Sequence, residues 1–154
     1  VLDQADFREA QLYRAVLIGA RGTGTIFTKA DLSEIYAPKA QFHHAQFNEA
    51  AMESANLVAA DLSGSNFTHA NLTHANLQEA NLQDATLSGA DLTGARLDTA
   101  DLRHANLRGA NLTGAVGLTQ AQIDNACLDE QTKLPPDLNR PAPCPATNQK
   151  APRR

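Results

Sequence analysis

Five histidines and two cysteines are the side chains of this 154-residue chain best suited to metal binding or nucleophilic chemistry. Imidazoles and thiolates bind Zn²⁺ when their ligating atoms converge at about 2 Å from one ion. A hydroxyl or thiol becomes a nucleophile only when a neighbouring group activates it. Whether any of these groups converge therefore depends on the backbone that carries them. The seven side chains are those of His43, His44, His69, His74, His104, Cys127 and Cys144.

That backbone follows a five-residue repeat. Residues 55–114 read ANLVA ADLSG SNFTH ANLTH ANLQE ANLQD ATLSG ADLTG ARLDT ADLRH ANLRG ANLTG, twelve units without an insertion. The third residue of each unit, here called the central residue, is Leu or Phe, and Asn or Asp precedes it in ten of the twelve. A fixed period over this length predicts a repeat architecture in which each unit buries its apolar face against its neighbours.

A period of five fits a strand of about three residues followed by a corner. Alternation within Ala-Asn-Leu sends the Ala and Leu side chains to one side and the Asn side chain to the other. Counted back from Leu112 in steps of five, the register reaches Leu2, and only Gly22 and Ala37 lack a large apolar central side chain. The repeat therefore spans residues 1–116 as a single domain.

The spacing of the phenylalanines indicates how many units make one coil. Phe7, Phe27, Phe47 and Phe67 are the central residues of every fourth unit. In a stack of parallel coils, each residue lies over the equivalent residue of the neighbouring coil, about 4.8 Å away. A coil of four units places the four rings in one column, whereas a coil of three units scatters them. The sequence therefore predicts a four-sided tube of roughly six coils, near 30 Å long.

The A(D/N)LXX units, seen plainly at Ala70, Asn71 and Leu72 and again as ADL at residues 90–92, resemble the pentapeptide-repeat family. The resemblance covers residues 1–115. It implies an all-β fold, a right-handed quadrilateral parallel β-helix with Leu or Phe at the centre of each unit and Ala packed beside it. It also implies diverse functions, mostly unassigned, with many members in cyanobacteria. One branch of the family protects DNA gyrase by imitating DNA.

In this register the histidines take outward or corner positions and do not converge on one ion. Thr, Ser and Asp occupy repeat positions with no activated base beside them, and Leu and Ala fill the interior. The sequence therefore predicts a protein that is not an enzyme and holds no cofactor or metal. With 17 acidic and 13 basic residues, it lacks the basic footprint of direct nucleic-acid binding. Its apolar runs are too short for a membrane span.

The N-terminal units are less regular than the later ones. Gly22 stands where a large central residue is expected, in a stretch with three glycines, and Ala37 precedes a proline. Proline removes a donor from a hydrogen-bond ladder, and glycine often marks bulges. Each irregular unit is expected either to form a small outward loop or to compensate for size, with Gly22 lying under Phe42.

An apolar cluster is predicted on one outward side of the first three coils. Folding the sequence at four units per coil aligns its members, while the matching positions on later coils hold Asn76, Gln78, Arg96 and Asp98. An exposed apolar patch of this kind is typical of a partner surface; the alternative is that another segment or a loop covers it. The candidate residues are Val16, Ile18, Tyr36, Pro38 and Val58.

The repeat stops after Ala115, and residues 117–134 are predicted to form a short helical cap. Thr119 and Gln122 have the spacing of a capping box, and residues 126–128 resemble one more unit, out of register by one. Residues 135–154 are a Pro-rich tail too poor in apolar surface to order itself. Within it, Cys144 either forms a disulfide with Cys127 or remains a separate thiol.

No comparable cap precedes Leu2 and Phe7, so either upstream residues are missing or two rods meet end to end as a homodimer. The chain begins with Val1. It is expected in the cytoplasm or, if Val1 follows a cleaved leader, in the periplasm or thylakoid lumen.

The leading interpretation is a non-enzymatic scaffold that presents a rigid surface to an unidentified protein partner. A first alternative is a DNA mimic acting on DNA gyrase or another topoisomerase, although basic residues interrupt the acidic surface that mimicry requires. A second alternative is a purely structural or stress-related protein of the lumen or periplasm. The interrupting residues are Lys29, Lys39, Arg103 and Arg108.

Overall fold

A computed structural model describes residues 1–145 of the chain. Its backbone forms a ladder in which the residue before each central residue pairs in parallel with its counterpart four units later, from Asp6 with Ile26 to Arg96 with Val116. Each pairing is one residue long, so the strands are single bridges. One side of the tube is therefore one unit, which gives the coil of four units that the phenylalanine spacing predicts.

Every backbone N–H of a regular unit has an acceptor, as the unit of Leu72 illustrates. The N–H groups of Leu72 and His74 donate to the following coil, that of Asn71 to the preceding coil, and that of Ala75 to the carbonyl of Leu72. The remaining N–H, of Thr73, donates to the side-chain oxygen of Asn71 over 3.1 Å. The frequent Asn or Asp before the central residue therefore accepts the one donor that the ladder leaves over.

The corner residue of each unit, two positions after the central residue, has a positive φ. Sixteen residues other than glycine adopt values between 54° and 59°, and all lie at such corners; His44, Lys39 and Glu34 are examples. The turn is closed by a hydrogen bond from the alanine N–H of the next unit to the carbonyl of the central residue three positions earlier, as in the 2.9 Å bond from Ala5 N to Leu2 O. This turn restores the alternation that five residues would otherwise invert, so Leu and Ala face inward in every unit.

The core is a stack of apolar columns. Central residues and their neighbouring alanines are buried from Phe27 to Leu112. Rings of Phe7, Phe27, Phe47 and Phe67 stack with centroids 5.4, 5.1 and 4.7 Å apart. The predicted phenylalanine column is confirmed.

The irregular units form no loops, and the size-compensation hypothesis is the correct one. Gly22 stays in register, donating its N–H to Gln41 O over 2.8 Å. A Cβ on Gly22 would overlap Oγ1 of Thr25 and lie 2.8 Å from the ring of Phe42, so the missing side chain makes room for both the hydroxyl and the ring. In the second irregular unit, Ile35 and Ala37 are both buried; the large and small inward residues have exchanged places.

Pro38 removes no ladder donor, contrary to the sequence-based expectation. It directly follows the central position of its unit, and the N–H at that position donates to a side chain in regular units rather than to a neighbouring coil. Its carbonyl still accepts the N–H of Gly19 over 2.9 Å. Proline at this position therefore removes no backbone hydrogen bond between coils.

At the C-terminal end, helix α1 spans Gln120–Asp124. Thr119 is its N-cap, and the predicted capping box with Gln122 is confirmed. The Gln122 side-chain amide also donates to the carbonyls of Leu97 and Ala100 over 2.8 and 2.9 Å, while Ile123 is fully buried. The short helix is thereby fixed to the end of the tube.

The chain rejoins the ladder after α1. Cys127 pairs with Asn106 and Lys133 with Asn111, so the first lies one position and the second two positions beyond the regular spacing of four units. The predicted shift of one residue at Cys127 is therefore confirmed, and a second shift precedes Lys133. Buried Thr132 takes the place of an inward alanine and donates its hydroxyl to Leu107 O over 2.9 Å.

The expectation of an unordered tail after residue 134 is wrong for residues 135–145, while residues 146–154 lie outside the described part of the chain. Pro135 is buried, and Leu138 packs against the core. Asn139 and Gln120 exchange hydrogen bonds of 2.9 and 2.8 Å, and Arg140 donates to Thr132 O over 2.8 Å. Directed polar contacts compensate here for the scarcity of apolar side chains.

At the other end, Leu2, Phe7, Leu12 and Leu17 of the first coil are only half-buried. The end-to-end homodimer stays a prediction. Among residues 1–145, no helix has the length and hydropathy needed to cross a membrane.

Replacing the buried Leu82 by Asp is expected to abolish cooperative folding or to lower the free energy of unfolding by about 4 kcal/mol or more, because the change buries an unpaired charge. Ser88→Asp, an outward change one unit later, serves as the control and is expected to be nearly neutral. Thermal unfolding followed by circular dichroism checks both variants. A Leu82→Asp protein as stable as the control would contradict the assigned core.

Gly22→Leu is expected to destabilise the protein by about 1–3 kcal/mol, because the new side chain overlaps Phe42. Adding Phe42→Leu to Gly22→Leu should recover part of that loss, since leucine on leucine is the arrangement of the later coils, while the overlap with the buried hydroxyl of Thr25 remains. Denaturant unfolding of the two single variants and the double variant measures this coupling. Strictly additive effects would contradict the size compensation between the two positions.

Candidate partner-binding surface

One side of the tube carries the predicted apolar residues in two adjacent columns. Val16 pairs with Tyr36, and Tyr36 with Asn56, so these three residues form the first column. Hydrogen bonds from Gly19 N to Pro38 O and from Lys39 N to Val58 O stack the second column, which contains Ile18, Pro38 and Val58. We call Val16, Ile18, Tyr36, Pro38 and Val58 the apolar patch, and the side that carries it the patch side.

The patch is exposed to solvent despite its apolar composition. Val16, Ile18 and Tyr36 are 67%, 58% and 47% exposed, while Pro38 and Val58 are half-buried. Three large apolar side chains thus lie next to one another on a rigid surface, at positions where the fourth and fifth coils carry polar or charged residues. Clustering of this kind distinguishes the patch from the single exposed apolar residues that most surfaces have.

Two corners border the patch, and their charges differ. At one corner, Glu34 accepts hydrogen bonds from Arg14 Nε over 2.7 Å and from the Tyr13 hydroxyl over 3.1 Å. The Arg14 hydrogen bond, followed by that of Tyr13, holds the pKa of Glu34 below its ordinary value. At the other corner, Lys39 is exposed and makes no ion pair with any residue of the described chain.

Besides the terminal Val1, two exposed apolar residues were not predicted from the sequence. Val116 is 51% exposed and pairs with Arg96, so it lies at the far end of the first column of the patch side. Tyr13 is 50% exposed beside Arg14, whose guanidinium carbon lies 4.9 Å from the ring centroid. Continuing the coil-by-coil count from Val16 to residue 116 would have found the first. Tyr13 gives no comparable signal because it stands on the neighbouring side.

The histidines have a structural role in three of the five cases. The rings of His44, His69 and His74 pack over Gly64, Gly89 and Gly94, the corner glycines of the next coil. A fourth ring, of His43, places Nδ1 3.2 Å from a carboxylate oxygen of Asp61. Within residues 1–145, no group of three or more His, Cys, Asp or Glu residues is arranged to hold a metal ion.

The two cysteines are joined in the structure by a disulfide, with Cα atoms 5.2 Å apart. Arg108 donates to Cys144 Sγ over 3.2 Å and to Pro145 O over 3.1 Å. The disulfide therefore ties residues 135–145 to the last coil, at the opposite end of the tube from the apolar patch.

Two family models match the chain in adjacent segments. The pentapeptide repeat region matches residues 40–116, and pentapeptide repeats, in eight copies, match residues 1–36. The chain belongs to the pentapeptide-repeat family. The two matches together include every residue of the apolar patch except Pro38, which falls in the gap between them.

Solved pentapeptide-repeat proteins resemble this one over most of its length. HetL, a protein involved in heterocyst differentiation regulation in the cyanobacterium Nostoc sp. strain PCC 7120, is 31% identical, with 82% of this chain and 69% of HetL covered and a TM-score of 0.36. The protein alr5209 of the same organism is 27% identical, with 80% and 84% covered and a TM-score of 0.52. AT2G44920 from the Arabidopsis thaliana thylakoid lumen is 22% identical, with 79% and 70% covered and a TM-score of 0.39. None of the curated proteins matches the chain.

Loss of the disulfide is expected to lower stability without changing the apolar patch. The bond closes a sequence separation of 17 residues, and a loop of this length corresponds to about 3 kcal/mol in the chain-entropy account. Thermal melts with and without a dithiol reductant measure the effect. The double variant Cys127→Ser/Cys144→Ser should unfold at the midpoint of the reduced protein, and the reductant should not change that midpoint. An unchanged midpoint on reduction of the natural protein would contradict a stabilising disulfide.

Proposed function

We propose that this protein is a non-enzymatic scaffold that binds a protein partner through the apolar patch. The observation that carries the proposal is the exposure of Val16, Ile18 and Tyr36 side by side on one side of the tube. Burying such a cluster against a partner is favourable by roughly 25 cal/mol per Å² of apolar surface removed from water, and aromatic side chains such as that of Tyr36 are frequent anchors of interfaces.

The proposed mechanism is presentation of side chains by a rigid backbone. The ladder fixes successive residues of a column about 4.8 Å apart, and both columns of the patch are held in register by hydrogen bonds from coil to coil. A surface that is already ordered loses little conformational entropy when a partner binds. We further infer that the quadrilateral coil winds right-handed, as the family resemblance implies.

DNA mimicry toward a topoisomerase receives less support from the charges. A DNA-like surface needs uninterrupted negative charge, but Arg14 pairs with Glu34 over 2.7 Å and Arg103 with Asp101 over 2.6 Å. Two further basic residues, Lys29 and Arg96, lie within 4.0 Å of Glu49 and Asp98. These neighbouring charges cancel locally and leave the apolar patch as the more distinctive surface.

The disulfide favours an oxidising compartment as the site of this function. Disulfides persist in the periplasm and in extracytoplasmic spaces, and reductants remove them in the cytosol. We therefore propose the periplasm or a lumen over the cytoplasm. This choice is independent of the partner surface.

Ile18→Asp and Tyr36→Asp are each expected to leave folding nearly intact and to abolish capture of the partner, because both side chains point into solvent and a charge disrupts an apolar contact. Affinity capture from extract of the native organism, compared between variants by mass spectrometry, measures the loss. Gln46→Asp is the matched control, since it stands before a central residue on the opposite side of the tube.

Proteins retained by the natural chain and by Gln46→Asp, but absent with both patch variants, would support the proposal. Two results would count against it. The first is a captured set that is identical for all four proteins. The second is unfolding of either patch variant, because the residue would then belong to the core.

A further inference from the structure

We propose that the occupant of the apolar patch is a second copy of this chain, related by a two-fold axis that runs parallel to the two tubes. The inference rests on the proposed function, because it names the partner of that surface. It follows from how side chains on the patch side are distributed between its two columns and its two bordering corners.

A two-fold axis parallel to the tubes exchanges left and right but keeps each coil at its own height. The first column of one copy then faces the second column of the other, coil by coil. Val16 meets Ile18 of the second copy, and the exposed ring of Tyr36 meets Pro38 of the second copy. Both contacts bring together side chains that are apolar and exposed or half-buried in the single chain, and each occurs twice by symmetry.

The bordering corners are complementary under the same operation. Glu34 and Lys39 belong to one coil and stand at opposite corners of the patch side, both with positive φ. They do not pair with each other within the chain. The two-fold axis brings Lys39 of each copy opposite Glu34 of the other, whose carboxylate already accepts hydrogen bonds from Arg14 over 2.7 Å and Tyr13 over 3.1 Å within its own chain. Lys39 would therefore add a second cation to an existing Arg14–Glu34 pair, once on each side of the apolar contacts. Lys39, without an ion pair in the described chain, thereby gains a partner.

The later coils of the patch side extend the match. The corner residue His74 would face the corner residue Glu79 of the second copy, whereas Arg96 and Asp98 already pair within each chain over 3.7 Å. The exposed Val116, at the end of the first column, would add apolar surface near α1. The match between the two copies therefore continues along the patch side beyond the apolar patch. Sliding one copy along the other by one coil would break this match.

A two-fold axis perpendicular to the tubes gives a poorer match. This operation turns one copy upside down and places each column against the same column of the other copy. In the coil at the centre of the contact, Lys39 then faces Lys39 and Glu34 faces Glu34. Like charges at such distances oppose association and select against the wrong arrangement. The charge distribution therefore favours parallel tubes.

The size of the surface fits a weak, specific dimer. A side five coils high is about 24 Å tall by the layer spacing and about 13 Å wide for four extended residues, so it covers roughly 300 Å². Pairing two such sides therefore removes roughly 600 Å² of flat surface, in the range of weak, transient interfaces. We expect dissociation in the micromolar range, detectable by sedimentation at ordinary protein concentrations.

The test uses two charge-reversal variants of the full chain, Lys39→Glu and Glu34→Lys, in sedimentation velocity runs over a concentration series. Each variant alone carries two repulsive pairs in its dimer and should associate about tenfold more weakly than the natural protein. An equimolar mixture restores both Glu–Lys pairs and should form a one-to-one dimer of the natural affinity. Lys29→Glu is the matched control, since Lys29 is also a corner lysine but borders the opposite side; it should dimerise normally.

Several results would overturn the inference. A natural chain that stays monomeric to millimolar concentration would do so, and so would a mixture no stronger than its components. A dimer unaffected by Lys39→Glu and by Tyr36→Asp would point instead to contact between tube ends. If the chain is monomeric while Ile18→Asp still loses a captured protein, this inference fails and the proposed function stands. A dimer that survives Ile18→Asp would refute the patch as its interface.

Discussion

The left-handed corner of each five-residue unit sets the geometry of every other part of the tube. An odd number of residues would turn Leu outward in every second unit, and the positive φ of the corner cancels that inversion. Sixteen residues with side chains accept this conformation, at roughly 1 kcal/mol or more apiece. The cost is offset because the corner N–H donates to the next coil, as His74 N does to Thr93 O over 2.9 Å.

Once the corners are set, each residue interacts chiefly with its counterparts one coil before and one coil after it. Departures from the repeat are therefore corrected within one column, as Gly22 yields space to Phe42. Buried Ser65 gives a second example, since its hydroxyl donates to Phe42 O over 2.6 Å and accepts the N–H of Ala45 over 3.1 Å. A repeat protein can in this way absorb changes of size and polarity without a loop.

Because each residue interacts chiefly within its own column, the outward positions are free to vary. An Asn or Asp before the central residue accepts one spare N–H, but the ladder does not need it, and Val16 and Tyr36 replace it on the patch side without disturbing their pairing. The fold therefore tolerates an apolar cluster on its surface at little structural cost. The cluster lies far from the capped end, where α1 and the disulfide hold the last coil.

From its strict period, the amino-acid sequence predicts the register, the coil of four units and the inward residues, since such a period is compatible with one arrangement. It also located the apolar patch and the capping box of Thr119. The absence of loops at Gly22 and Pro38 could not be predicted, because it depends on the volume above Gly22 and on which N–H groups the ladder uses. The ordering of residues 135–145 likewise required the structure, because it arises from contacts of Gln120 and Arg140 with residues distant in sequence, which follow no period.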